Sequence, residues 1–369
     1  MKRILSMVAA IGLFVALPLF AYAEDAPREC LTGGAAVEKL THRFVVKLYA
    51  VGNPEKPQES ATSGSGELVR NVNGTVRILT NAHVVGSARH VWVHFDGELF
   101  SQKVQVLGVD PLIDLALLEA PKPLPLSVEP IAFSAEPVVI GDCLYAVGYP
   151  DGNKSITPGV VASLVAPAFV GVRRGLYFSH IAPISPGSSG GAVVRFSNSG
   201  ALEFLGINTI VGVQSSVDEV NKIVKTTVSN FGFALHARVI RRAMEVLERT
   251  RLAEHGYMGL GLDDAADMNP FIFEAIANRS YPPNRPGIVV TDVVPESPAA
   301  GAGILAGDMI RSFEVYVNER WLALLVENAT RLAEEVFFSV PPGTSVRVST
   351  ERGEQTFVRE FSLSSYPSR

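Results

Sequence analysis

The sequence predicts a mostly β fold class: a first unit that is an all-β sandwich or barrel, followed by a smaller α+β unit. Three observations predict it. From Arg43 to about Leu235, short runs rich in Val, Ile, Leu and aromatic residues alternate with turn residues. A helical period then takes over, with Val239, Ile240, Ala243, Met244 and Leu247 on one face and Arg241, Arg242, Glu245 and Glu248 elsewhere. After a junction near His255 the strand pattern restarts.

In chain order, the first element is an export signal. Lys2 and Arg3 precede an apolar run from Ile4 to Phe20, and Ala21-Tyr22-Ala23 offers the small residues a signal peptidase reads, so residues 1–23 are expected to be removed. The same run, kept uncleaved, is the alternative; only then would a membrane be a partner. Losing the two positive charges of Lys2 and Arg3 takes the formal charge from −5 to −7, and no Lys/Arg block remains to bind phosphate. Nucleic acid is therefore excluded as a partner, and the destination is an exported one, the periplasm. The two cysteines, Cys30 and Cys143, are free to pair in an oxidising compartment; two separate thiols are the other reading. Neither has a Cys or His at metal-ligand spacing, so no metal site is expected.

The next runs are strands at Arg43 to Val51, Val76 to Leu79, Val91 to Phe95, Leu115 to Leu118, Leu144 to Val147 and Leu202 to Ile207. Gly52 to Gly66, with two prolines and several Ser and Gly, reads as a surface loop, and Pro121 to Pro125 as a connector between two halves. The helix around Val239 to Leu247 closes the first unit, residues 24–251. The second, residues 252–369, has a strand at Gly287 to Val294, a helix-like stretch at Leu322 to Phe338, and strands at Ser345 to Thr350 and Thr356 to Phe361.

Three segments carry chemistry. Gly187-Ser188-Ser189-Gly190-Gly191 puts a serine on a tight turn whose small neighbours let backbone N–H groups face a substrate carbonyl. Leu79-Thr80-Asn81-Ala82-His83-Val84-Val85 sets a histidine at the end of a strand, where a general base is held rigidly. Of the seven histidines, His42, His90, His94, His180, His236 and His255 read as ordinary surface or packing residues. Asp114-Leu115-Ala116-Leu117-Leu118 leads a carboxylate into a core strand, and such a buried acid needs a hydrogen-bond donor, most simply an imidazole N–H.

These blocks, with Gly64-Ser65-Gly66, Val147-Gly148-Tyr149-Pro150, Gly159-Val160-Val161 and Gly206-Ile207-Asn208-Thr209, resemble in order and spacing the HtrA (Deg) serine proteases, from about Phe44 to the C-terminus. The resemblance implies a chymotrypsin-like double β-barrel. It further implies His83 as general base, Asp114 as the acid that orients it, Ser189 as nucleophile, and the N–H groups of Gly187 and Ser189 as an oxyanion hole. Asp110 is the rival acid, disfavoured because the family's acid directly begins the Leu-Ala-Leu-Leu strand. Ile184, Val211 and Gly212 map to the primary specificity pocket; with no Asp or Glu there, a small or medium aliphatic residue is expected before the scissile bond. The implied activity is endopeptidase cleavage of unfolded or mislocalised exported proteins and peptides, without metal or organic cofactor. A non-proteolytic binding protein or chaperone on the same scaffold is the alternative.

In the second unit Tyr257-Met258-Gly259-Leu260 resembles the carboxylate-binding loop of a PDZ domain, and Gly287 to Val290, Ser297 to Ala300 and Ala306 to Ile310 match the PDZ core that follows. The resemblance implies capture of C-terminal peptides. The chain departs from the family at Pro186 and Ser188 beside the nucleophile, at His180-Ile181-Ala182-Pro183, which lacks an acidic residue, and in a long Val213 to Asn230 stretch. Family members are commonly homotrimers held by aromatic residues near the mature N-terminus; between Glu24 and His42 this chain has none.

Overall fold

The computed structural model describes residues 34–52, 61–164, 175–217, 223–278, 280, 286–324 and 327–365, with backbone alone over 210–217 and 223–231. Residues 1–23, the expected leader, and Cys30 lie outside the described residues. Cys143 is disulfide-bonded.

Six antiparallel strands close the first barrel: β1 (Val45–Val51), β2 (Ala61–Arg70), β3 (Val76–Thr80), β4 (His90–His94), β5 (Gln102–Asp110) and β6 (Leu115–Glu119), in the order β1-β2-β3-β6-β5-β4. Leu48, Leu68, Ile78, Leu79 and Leu117 are fully buried in this part of the core. Each such side chain contributes about 1.5–3 kcal/mol by leaving water.

The second sheet holds β7 (Ala132–Phe133), β8 (Cys143–Gly148), β9 (Ser155–Ser163), β10 (Tyr177–His180), β11 (Ala192–Phe196), β12 (Leu202–Val217) and β13 (Ile223–His236). Its order is β11-β8-β9-β10-β13-β12-β7, and a further β11–β12 pairing closes six of these strands into a second barrel. Leu144, Val161, Phe178, Val193, Leu205 and Ala234 form an apolar cluster of their own here. The architecture is the expected chymotrypsin-like double barrel. The long Val213 to Asn230 stretch is largely the β12–β13 hairpin, paired from Gly206↔His236 to Val217↔Ile223 with register shifts between Asn208 and Ile210 and between Val211 and Gly212.

The helix Ala237–Leu247 buries Val239, Ile240, Ala243, Met244 and Leu247, the face its periodicity predicts. Beyond it, β14 (Gly256–Tyr257) pairs β21 (Ser364–Ser365). A sheet of β15 (Leu260–Asp264), β16 (Ile288–Val293), β17 (Met309–Val317), β19 (Ser345–Arg352) and β20 (Gln355–Ser362) runs in that order, with β18 (Arg320–Leu324) on β17. The helix Ala329–Ser339 packs Leu332 and Val336 onto Ile288, Val290, Phe313 and Val348.

Two expectations are corrected. The helix-like stretch at Leu322 to Phe338 is a strand and then a helix: Asn318 and Glu319, at φ 50° and 63°, turn the chain back so that Leu322 faces Val315 and Leu324 faces Phe313. A two-residue turn of this kind is usually signalled by glycine, which is absent here. The helix begins only after Asn328, whose side chain caps the Arg331 N–H. The second correction concerns Gly52 to Gly66. Strand β2 starts at Ala61, and Gly64, Ser65 and Gly66 are buried. Their small size serves close packing against the serine loop rather than exposure; residues 53–60 lie outside the described set.

Candidate active site

Three loops converge between the barrels. His83 sits in a single helical turn, Ala82–Val85, directly after β3. Asp114 ends the turn between β5 and β6, where Asp110 pairs with Leu115 across the ladder. Ser189 lies in the loop between β10 and β11. The structure brings the first two together: Asp114 Oδ1 accepts the His83 backbone N–H at 2.9 Å, and Asp114 Oδ2 lies 2.7 Å from His83 Nδ1. A carboxylate only accepts, so Nδ1 carries the hydrogen and Nε2 keeps its lone pair for a proton. The hydrogen bond from Asp114, aided by its charge and opposed by burial, raises the His83 pKa. Asp110, the rival acid, does not approach His83; its carboxylate bonds to His255 instead.

The serine loop is held by residues that the sequence reading quoted among the family blocks without giving them a role. Ser65 N–H donates to the Ser189 carbonyl at 2.9 Å, while Ser65 Oγ donates to the Gly187 carbonyl and accepts from the Tyr149 N–H, each at 2.8 Å. Gly190 N–H donates to Asn208 O, and Asn208 N–H returns to Gly191 O. Gly190 has φ 78°, and a Cβ there would stand 2.2 Å from Ser65 O; no other residue fits. Gly187 has φ 95° for the same kind of reason, with Tyr149 O only 2.7 Å from where a Cβ would be. Asn81, fully buried, donates to Asp114 O at 2.8 Å and to Thr209 Oγ1 at 3.1 Å, tying the histidine's strand to the acid's turn and to β12.

Among the described residues neither the Gly187 nor the Ser189 N–H donates to another protein group, which leaves both donors of the serine loop unused. Ser189 Oγ and His83 Nε2 make no hydrogen bond with each other in this structure; such contacts in substrate-free proteases commonly tighten only on binding. Ile184 is buried, and the space above Gly232 brings it together with His180: a Cβ there would meet His180 Nε2 at 2.7 Å and Ile184 Cδ1 at 3.0 Å. His180 bonds to Asn208 Oδ1 at 3.1 Å, and burial pushes its pKa down to about 4, so it is a neutral packing residue. Val211 pairs with Gly232, and Gly212 with Val228, in the β12–β13 ladder; the Val211 side chain lies outside the description. A separate groove of about 740 Å³ between the β2–β3 turn, Pro130 to Phe133 and the helix Ala237–Leu247 contains none of these residues.

Residues 64–202 match the family described as Trypsin-like peptidase domain. The serine endoprotease DegS of Salmonella typhimurium is 30% identical over 311 residues, 84% of this chain and 78% of the relative. This chain belongs to the HtrA (Deg) family of serine proteases. It is a serine endopeptidase, which sets aside the non-proteolytic alternative. DegS of Escherichia coli K12 is 29% identical over 328 residues, 88% of this chain and 83% of that one. The solved structure of the HtrA-type protease AlgW with tripeptide covers 90% of this chain and 97% of its own with a TM-score of 0.63; at 21% identity that is a likeness of fold. As an HtrA protease the chain acts on proteins or peptides, and its double barrel is the scaffold that holds the three loops above against one another.

Proposed function

We propose that His83, Asp114 and Ser189 are the catalytic triad and that the Gly187 and Ser189 N–H groups are the oxyanion hole. The observation that carries this reading is the two-point bond between Asp114 and His83, which selects the tautomer with a basic Nε2. In the reaction Ser189 Oγ attacks the peptide carbonyl as His83 Nε2 takes its proton. The tetrahedral oxyanion is met by the two N–H donors, and His83 returns the proton to the departing amine. Water then attacks the acyl-enzyme by the same route in reverse. Ile184, Val211 and Gly212 line the pocket for the residue before the scissile bond; neutral His180 beside Ile184 supports an uncharged occupant of small or medium size.

Residues 24–251 form the protease domain in this reading and 252–369 a PDZ-type domain that binds C-terminal peptides to tether substrate or regulate cleavage. Support comes from the loop at Tyr257, Met258, Gly259 and Leu260. Gly259 has φ 81°, Met258 is anchored in the core of the domain, and the Met258 and Gly259 N–H groups donate to no backbone partner among the described residues. Next to the loop, β15 is the edge strand of its sheet and faces the helix Ala329–Ser339, the place for an added peptide strand. The protein is exported to the periplasm, where it cleaves unfolded or mislocalised proteins; the leader-like first 23 residues and the disulfide-bonded Cys143 support this.

A fluorophosphonate probe tests the triad. Labelling of Ser189 in the wild type, lost in His83→Ala, supports the reading; a wild type that cleaves casein while Ser189 stays unlabelled overturns it.

A further inference from the structure

The turn that presents Asp114 is short and strained. Asp110 and Leu115 are paired, so residues 111–114 must reverse the chain, and Asp114 does so at φ 52°, a region unfavourable for a non-glycine residue. The turn is held on two sides by groups of the barrels. Tyr177 Oη donates to the Ile113 carbonyl at 2.9 Å, and Asn81 Nδ2 donates to the Asp114 carbonyl at 2.8 Å. Its third support comes from outside the barrels.

Asp110 is 1% exposed, and its two oxygens face different ways. Oδ1 accepts the Leu112 N–H at 3.2 Å, inside the turn. Oδ2 lies 2.7 Å from His255 Nε2, across 145 residues of sequence. The other ring nitrogen, His255 Nδ1, is 2.9 Å from the Phe337 carbonyl, and the imidazole stacks on the Phe337 ring at 3.6 Å and 7°. The Phe337 carbonyl only accepts, so Nδ1 carries a hydrogen, and the proton between Nε2 and Asp110 joins the two groups.

The chain leading to His255 is docked as well. Val109 N–H donates to Arg251 O at 2.9 Å, and Ala253 N–H donates to Val109 O at 3.0 Å, clasping the residue before Asp110. Farther along the contact, Arg238 pairs with Glu334, and Arg242 pairs with Glu335 while lying over the Phe338 ring. The end of β5, the junction and the helix Ala329–Ser339 are thus one connected body, with His255 at its centre.

We propose that His255 is a positioning residue for proteolysis: through Asp110 it fixes the turn that aims Asp114 at His83, so that the docked C-terminal unit supplies part of the rigidity of the triad. The inference rests on the triad reading above and goes beyond it by placing a required contact in the second unit. Without the His255 donor, Asp110 is a buried carboxylate with one partner; it must recruit water or rotate, and the Leu112 N–H in the turn moves with it. A displaced acid lowers the chemical step without altering how substrate binds, and a shift of even 1 Å can cost up to about 100-fold.

The test uses the full-length protein as wild type, His255→Phe, His255→Gln and Asp110→Asn. Phenylalanine keeps the stack on Phe337 and removes the hydrogen bond; glutamine restores a donor. Cleavage of fluorescein-labelled casein and the rate of fluorophosphonate labelling at Ser189 are measured at temperatures well below each variant's Tm. Expected for His255→Phe and Asp110→Asn is a fall of about tenfold or more in kcat and in labelling rate with KM changed less than about twofold, and for His255→Gln a recovery of much of the loss. A lowered Tm with wild-type kcat and labelling rate would make His255 a stabilising contact only and overturn the proposal. Failure of the triad reading looks different, because then the wild type itself is not labelled at Ser189.

Discussion

Asp114 holds His83 at two points, the backbone N–H at 2.9 Å and the imidazole Nδ1 at 2.7 Å, from a backbone that few residues other than glycine adopt. Position and tautomer of the imidazole are set by one carboxylate. Asp114→Asn keeps the shape but presents an amide that can donate to Nδ1 and favour the wrong tautomer. Expected is a loss of kcat of about 10⁴-fold, the size of the same change in a well-studied triad. The pH profile should change too. The bond and charge of Asp114 raise the His83 pKa, and His83 must be neutral to accept a proton, so the acid limb of the wild-type rate lies above the ordinary imidazole value. In Asp114→Asn that limb should move to lower pH, and a pH series of kcat on casein measures it.

Ser189→Ala should abolish hydrolysis by about 10⁴-fold or more while leaving the fold intact, since the loop is held by Ser65, Tyr149 and Asn208 and not by the Ser189 hydroxyl. His83→Ala should match it. His90→Ala, at an exposed position on β4, should stay within about twofold of wild type. Casein cleavage with circular dichroism on each variant decides.

Glu67 is fully buried in β2, neither carboxyl oxygen has a hydrogen-bond partner among the described residues, and burial raises its pKa well above 4.5. The unfolded chain gives up this proton more readily than the folded one. Glu67 therefore costs no stability below about pH 4.5, and its cost grows as pH rises from there toward the folded-state value. Glu67→Gln should leave Tm nearly unchanged at pH 4.5 and raise it relative to wild type at pH 7 to 8. Differential scanning calorimetry across that range measures the difference; parallel curves would sink the idea.

Two other buried groups work in the acid direction. Burial pushes His180 down to about 4 and, with the Arg238 charge adding, His236 down to about 3. The unfolded chain binds these protons near the ordinary 6.5, so stability falls as pH drops from about 6.5 to the folded values. Each should cost on the order of 2–3 kcal/mol at pH 4. His236→Gln should lose less stability than wild type between pH 6.5 and 4 in urea denaturation, whatever its stability at pH 7.

The loop at Tyr257 to Leu260 should need a charged peptide end. Peptides ending in an apolar residue with a free carboxylate should bind the full-length Ser189→Ala protein, and amidation should weaken them by about tenfold or more, since a charge-assisted set of N–H bonds is lost. Calorimetry with matched acid and amide peptides measures it. Equal affinities would leave this unit as packing alone.

Much of the molecule was legible from short-range patterns. The strand runs and the helical period of Val239 to Leu247 appear nearly where they were expected, because a period of 2 or 3.6 reports directly which side of an element is apolar. Where composition misled, the cause was tertiary. Glycine and serine at 64–66 signalled a loop, yet they lie in a buried strand because the serine loop approaches too closely for larger residues. Leu322 to Phe338 read as one helix because the turn at Asn318 and Glu319 lacks a glycine.

For the site, the sequence by itself determined which serine, histidine and aspartate to examine, because their motifs are local and the family's order of blocks is specific. Tertiary structure added the partners of Asp110 and Asp114, which stand four residues apart with the same side chain and of which the family's pattern already favoured Asp114. It sent Asp114 to His83 and Asp110 to His255, a histidine that sequence placed among the ordinary ones. The physical reason is that a buried carboxylate must find a donor, and which donor lies within 3 Å depends on how the barrels and the second unit pack, a relation between residues up to 145 positions apart that no local pattern records.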